Sequence, residues 1–303
     1  MKILVIGGTY FLGKAFLETC LEKGREALLV NRGNRKLEGL SEDRIKTFLM
    51  DRHDGKKLKE LSDELKDQKI DAVVDFCAYE KGDVKSIIDI LPESVQQYLF
   101  VSTCDVYRRG TGKVLDEGAE LEERLFAGQE GAYIKGKVIL EDELQKACMQ
   151  KGLHFTSIRP VIIYGPGNYA PRESIFFHWI TQAGQILFPE DADGTFQMVY
   201  VKDVAKVIDA VLLREDCFDR AINVCGEAII TYQGFSDALE KACERDIERV
   251  SLSVDEVIER GIPLPFPLLA EESEQYAGEF VKKLGIQYTE LCQGLKETFK
   301  EFA

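Results

Sequence analysis

The chain has 303 residues, of which 45% are hydrophobic and only 8 are proline, a balance that excludes a disordered or fibrous chain and can bury the core of one compact two-lobed unit. Its formal charge of -14 repels phosphate backbones and anionic lipids. A nucleic-acid partner would need a dense basic patch, and the sequence offers none, so the expected partner is a small molecule, with no nucleic acid and no membrane. Apolar runs fall short of the ~18 residues a membrane helix needs, and the opening MKILVIGG turns too early for a secretory signal. Eight cysteines without C-x-x-C spacing and three histidines give a zinc site few ligands, so the cysteines read as reduced core thiols of a cytoplasmic protein without a metal.

In chain order, KILVIG predicts a first strand. Leu12, Ala15, Phe16 and Cys20 then fall at helical spacing until Gly24. EALLVNR, IKTFLM, DAVVDFC and QYLFVST predict strands two to five, with charged helices over 56–67 and 82–91 between the last three. A long helix over about 130–151 leads to a sixth strand, HFTSIRP, and after residue 165 come the loop YGPGNYAPRE, an aromatic helix SIFFHWI and shorter elements. Short apolar strands alternating with helices predict an α/β, Rossmann-type doubly wound parallel sheet with a smaller C-terminal substrate lobe. The expected division is 1–165 plus about 195–225 for the dinucleotide-binding domain, and about 166–194 plus 226–303 for the smaller lobe.

The first turn is the first candidate site. Gly7, Gly8, Thr9, Tyr10, Phe11, Leu12 and Gly13 follow a strand and open a helix, the arrangement in which free amides and a positive helix end hold a phosphate. Gly7, Gly8 and Gly13 supply the tight turn and close packing, but Tyr10 stands where a glycine would let the pyrophosphate approach; its ring has to turn out of the loop or stack on the cofactor. The second candidate is Tyr133 and Lys137, four apart on the long helix and therefore on one face. An ammonium beside a phenol favours the phenolate and suits it to acid/base work. Tyr10 and Lys14 share that spacing inside the glycine loop, so position decides: Tyr133 follows strand five, whose end VSTCDVY brings Ser102 and Thr103 to the carboxyl edge of the sheet.

At these residues the chain resembles the extended short-chain dehydrogenase/reductase family, the NAD(P)-dependent nucleotide-sugar epimerases and dehydratases, in GGTYFLG, STCDVY, YIKGK, IRPVIIYGPG and VYVKDVA taken in order. The resemblance implies that Thr103 holds the substrate hydroxyl, that Tyr133 is the acid/base, and that Lys137 holds the nicotinamide ribose and lowers the Tyr133 pKa. It also implies that Asp51 meets the adenine amine, with a helix-capping aspartate as the alternative, and that the molecule is a homodimer. The Tyr10 loop is similar to an atypical branch that includes chloroplast stem-loop RNA-binding proteins. Phe196 and Gln197 stand where sugar epimerases carry an arginine for the nucleotide phosphates.

The sequence thus predicts an NAD(P)-dependent oxidoreductase-type enzyme acting at a hydroxyl or keto carbon of a sugar-like or other small polar substrate. The alternative is a cofactor-bound regulatory or RNA-binding protein of the same fold without turnover. Strand two ends in neutral Asn31, and Arg32 and Arg35 could pair with a 2'-phosphate, so NADP is favoured over NAD. Asp105 is a weaker catalytic candidate. His178 reads as packing, and His154 as structural or solvated.

Overall fold

A computed structural model describes residues 1–303 other than Lys36, Glu38 and Ser41, together with the backbone but not the side chain of Glu42. Seven strands form one fully parallel sheet: β1 (Lys2–Ile6), β2 (Glu26–Asn31), β3 (Ile45–Leu49), β4 (Ala72–Asp75), β5 (Gln97–Val101), β6 (His154–Pro160) and β7 (Arg220–Val224). Their order is β7-β6-β5-β4-β1-β2-β3, so the direction of winding reverses between β1 and β4. Ligands of such sheets sit outside the carboxyl ends at that switch point. The first six strands follow the predicted segments. β7 was not singled out, because RAINV is short and only its pairing with β6 identifies it.

The alternation of side chains along buried strands gives the sheet two apolar faces. Ile3, Val5, Leu29, Val74 and Leu99 face α1 (Phe11–Glu22) and α6 (Val201–Val211). Leu4, Ile6, Leu28, Val73, Tyr98 and Phe100 face α2 (Gly55–Lys66), α3 (Asp83–Ile88) and α4 (Gly128–Lys151). The helix α1 buries the predicted stripe and Leu17 as well, then stops at Glu22 before Gly24, which takes φ +68°. The helix predicted over 82–91 is shorter than expected, and Gly82 opens it in the left-handed region.

Beyond β6, short strands pair across long separations: Ile162–Tyr164 with Met198–Tyr200, Gln185–Pro189 with Glu248–Leu252, and Thr195–Phe196 with Ile230–Thr231. The helix α5 (Glu173–Ala183) brings Phe176 against Phe235 and Phe266, and Phe196 stacks on Phe266 at 4.0 Å. Polar side chains join late segments to the sheet. Asp203, fully buried on α6, accepts from the Thr289 amide and hydroxyl, and the Asn223 amide donates to the carbonyls of Leu115 and Ala277.

Candidate active site at the switch point

The first turn is built by contacts that exclude a side chain. Gly7 has φ +76° and donates to the Val30 carbonyl, and a Cβ there would stand 2.6 Å from Cys77 Sγ. A Cβ on Gly8 would meet Val5, Leu17 and Leu29, and one on Gly13 would stand 2.6 Å from the Gly7 carbonyl oxygen. Helix α1 is thereby pressed onto the turn. Tyr10 is its N-cap in extended conformation and makes no side-chain cap bond, which leaves the opening amides of Phe11 and Leu12 uncapped by it. Its ring packs against two partners from other segments. The Arg35 guanidinium lies 3.6 Å above it, and the Tyr169 ring is 5.7 Å away. Phe11 takes φ 45° and meets Tyr169 edge-on. The uncapped helix end and the glycine-lined turn at the switch point fit the pyrophosphate of a dinucleotide.

The remaining cofactor candidates lie around this turn. Arg32 is exposed past β2, and Asn31 spends its side-chain oxygen on the Gly33 amide. Asp51 accepts from the His53 amide, and it is Asp54, not Asp51, that caps α2. The capping alternative for Asp51 therefore falls. Arg52, which the sequence did not single out, turns inward to Asp75. A cavity of about 510 Å³ lined by Thr9, Tyr10, Phe11, Lys14, Arg35 and Lys202 opens on the α6 side of the turn, and none of Thr103, Tyr133 and Lys137 lines it.

Those three residues come together at the end of β5. Thr103 Oγ1 donates to Asp105 Oδ2 at 2.9 Å and accepts from the Asp105 amide, so a lone pair remains for a further donor. Arg109 holds the other Asp105 oxygen at 3.1 Å and reaches Glu130, one turn before Tyr133 on α4. The Tyr133 residue is 39% exposed, yet its phenol is crowded by Thr103, Asp105, Tyr169 and Arg172. Loss of water and then the Asp105 and Tyr169 charges push its pKa up, against the pull of Thr103 and Arg172. That departs from the expected lowering by Lys137. The Lys137 ammonium, only 3% exposed, lies 5.8 Å from the Tyr133 ring centroid and donates to the carbonyls of Ala78 (3.1 Å) and Val101 (2.9 Å). Burial pushes it down to about 8, opposed by Asp75, Cys77 and Glu141.

Other residues fill structural posts. His178 is exposed and edge-on to Phe302, and His154 stacks on Phe218 and pairs with Asp219. Gln197 spends both ends of its amide on Gly226 and Tyr276, while Phe196 is in the aromatic core. Sequence reasoning missed Tyr79, Tyr169, Asp75 and Arg52; their segments were visible, but no spacing signals that they converge.

A solved structure of UDP-glucose 4-epimerase with UDP-glucose from Thermotoga maritima superposes with a TM-score of 0.79 at 18% identity, covering 100% of this chain and 98% of that one. A UDP-glucose 4-epimerase from Thermus thermophilus in complex with NAD gives 0.76 at 19% identity, over 100% and 99% of the two chains. The dTDP-glucose 4,6-dehydratase from Bacillus anthracis in complex with NAD gives 0.76 at 17% identity, over 99% and 96%. These likenesses show the fold. In sequence, the chain is 32% identical over 249 residues to the chloroplast stem-loop binding protein of 41 kDa b of Arabidopsis thaliana, a match covering 80% of this chain and 63% of that protein's length. The model of the NAD dependent epimerase/dehydratase family matches residues 3–225, from β1 past the end of β7, and the chain belongs to that family.

Proposed function

We propose that the protein is an NAD(P)-dependent epimerase/dehydratase-type enzyme that works at a hydroxyl or keto carbon of a sugar-like or other small polar substrate. The observation that carries this is the convergence of Thr103, Tyr133 and Lys137 beside the switch point. A nicotinamide dinucleotide, when bound, supplies acceptance and return of a hydride. Gly7, Gly8, Thr9, Tyr10, Phe11, Leu12 and Gly13 would hold its pyrophosphate, Asp51 its adenine end, and Lys137 its nicotinamide ribose. Tyr133 moves the proton of the substrate hydroxyl, and the remaining lone pair of Thr103 orients that hydroxyl. The engagement of Gln197 and Phe196 in packing supports a substrate without a nucleotide tail. Exposed Arg32 beside neutral Asn31 supports NADP over NAD; Arg35 is already stacked on Tyr10.

Internal redox returns the hydride to the same substrate, so the dinucleotide need not leave. Native mass spectrometry of the purified protein should therefore find it retained, whereas an empty site that responds to NADP points to a reductase. No dinucleotide binding at all would sink the catalytic reading. Calorimetric titration with both dinucleotides decides the preference, which Arg32→Ala should abolish.

The name of the Arabidopsis relative favours a second reading, nucleic-acid binding without turnover. The charge of -14 argues against it. Salt-sensitive, submicromolar RNA binding in a gel-shift titration would promote that reading.

A further inference from the structure

The side chain that makes the first turn unusual is also where three distant segments meet. Tyr10 follows β1, Arg35 follows β2, and Tyr169 lies in the loop between the strand Ile162–Tyr164, just past β6, and α5. In the sheet, β2 stands beside β1 on one side and β6 lies three strands away on the other. A row of side chains from Arg35 through Tyr10 to Tyr169 therefore crosses the head of β1, next to the switch point by which a ligand reaches the turn amides. The contacts along the row are made by flat groups. The Arg35 guanidinium lies 3.6 Å above the Tyr10 ring, and the Tyr10 and Tyr169 rings are 5.7 Å apart with planes tilted by 34°. Tyr169 also meets Phe11 edge-on at 6.1 Å, so it spans two consecutive residues of the turn.

The base of this row is fixed, and its tip is free to move. Fully buried Glu173 accepts from the Gly165 amide at 3.0 Å, and the Asn168 side-chain amide donates to both of its oxygens. The Gly167 amide donates to Glu301, and Asn168 Oδ1 accepts from the Ala170 amide. These bonds bracket Tyr169 on both sides and aim it at the turn. Tyr169 itself is 67% exposed and meets the turn through its ring. The cavity of about 510 Å³ beside Tyr10, Phe11 and Arg35 leaves the rings room to swing, which a close-packed core would deny them.

We propose that Tyr10, Arg35 and Tyr169 form a strap across the dinucleotide site, and that the dinucleotide enters and leaves only while Tyr169 is swung away. The proposal rests on the dinucleotide binding assigned to the first turn above, and not on turnover. Exposed side chains move within picoseconds to nanoseconds, far faster than a ligand arrives. Entry and release are then both slowed by the fraction of time the strap is closed, and affinity is left nearly as it was. A wall that merely touched the bound dinucleotide would slow release alone and tighten binding with it.

The two cases separate in stopped-flow mixing of the whole protein with NADPH and, in a parallel series, NADH, followed by the fluorescence of the reduced nicotinamide. Release is timed by a chase with the oxidised form in excess. Tyr169→Ala should speed entry and release alike by about tenfold, the size expected from losing a pair of exposed aromatic and cation–π contacts. Kd should stay near the wild-type value, and Tyr169→Phe, which keeps the ring, should keep the wild-type rates. Arg35→Gln, read with NADH so that no 2'-phosphate is involved, should move both rates the same way and tests the strap from its other end. Unchanged rates, or faster release with unchanged entry and weaker binding, overturn the strap while leaving dinucleotide binding in place. A wild type that binds neither dinucleotide while Tyr169→Ala binds one is the strap held shut. No binding by either protein removes the strap together with the function proposed above, whereas raised rates in a protein without turnover keep the strap and remove the enzyme.

Discussion

Asp105 stands between two jobs, accepting a hydrogen bond from the Thr103 hydroxyl while its charge disfavours the Tyr133 phenolate. In Asp105→Asn the phenol therefore loses a proton more readily, and the rising limb of kcat/KM against pH in the oxidising direction should move to lower pH. A limb that stays in place would show that the carboxylate does not reach the phenol. Tyr133→Phe should leave dinucleotide affinity near the wild-type value and cut turnover by ~10²- to 10⁴-fold, while Lys137→Met should lower both and Thr103→Ala should fall between. Away from the chemistry, Glu122 is held down to about 2, chiefly by its hydrogen bonds to Arg124 and further by the amides of Arg109 and Arg124. A depressed carboxylate stabilises the fold above its unfolded pKa and loses that contribution as pH falls through the folded value. Glu122→Gln should thus be less stable by ~1–2 kcal/mol at pH 7. The gap should close between roughly pH 5 and pH 2, read by thermal melts across pH.

One tight joint is α1 against its own leading turn. A methyl on Gly13 would press on backbone, 2.6 Å from the Gly7 oxygen and 2.7 Å from Gly8 Cα, and backbone has no rotamer by which to yield. Gly13→Ala should cost ~1–3 kcal/mol in urea unfolding and weaken dinucleotide binding with it. Gly55→Ala, at the open start of α2 with nothing within 4 Å, should instead stabilise by up to about 1 kcal/mol. These elements also show what the sequence could reveal. Continuous apolar runs ending in a glycine turn made β1, α1 and the next four strands legible, since burial on both faces leaves little choice of residue. Tyr133 and Lys137 were legible because one helix carries both. The Tyr10, Arg35 and Tyr169 stack was not, because its members come from three segments that only the tertiary fold joins. Likewise the Lys137 bonds to the Ala78 and Val101 carbonyls leave no trace in side-chain spacing, and neither does the burial of the Tyr133 phenol which, with Asp105 beside it, raises the pKa that was expected to be lowered.

At the scale of the molecule, a dinucleotide that binds the folded state alone should raise stability by about 2.7 kcal/mol at a hundred times its Kd, visible as a higher melting temperature for the preferred dinucleotide. The absence of any such rise, with either dinucleotide, would contradict the use assigned to the first turn. The sheet itself is complete with Val224, yet several of its supports come from far downstream. The carboxylate of Asp203 takes its Thr289 partners, the amide of Asn223 takes the Ala277 carbonyl, and the Gly167 amide takes Glu301. On a ribosome adding about 5–20 residues per second, the strands of the sheet thus emerge several seconds before these downstream partners. During that interval the nascent chain holds the sheet with the Asp203 carboxylate paired only to Lys206 of its own helix, a state open to chaperone capture that ends when the Thr289 segment emerges and closes it.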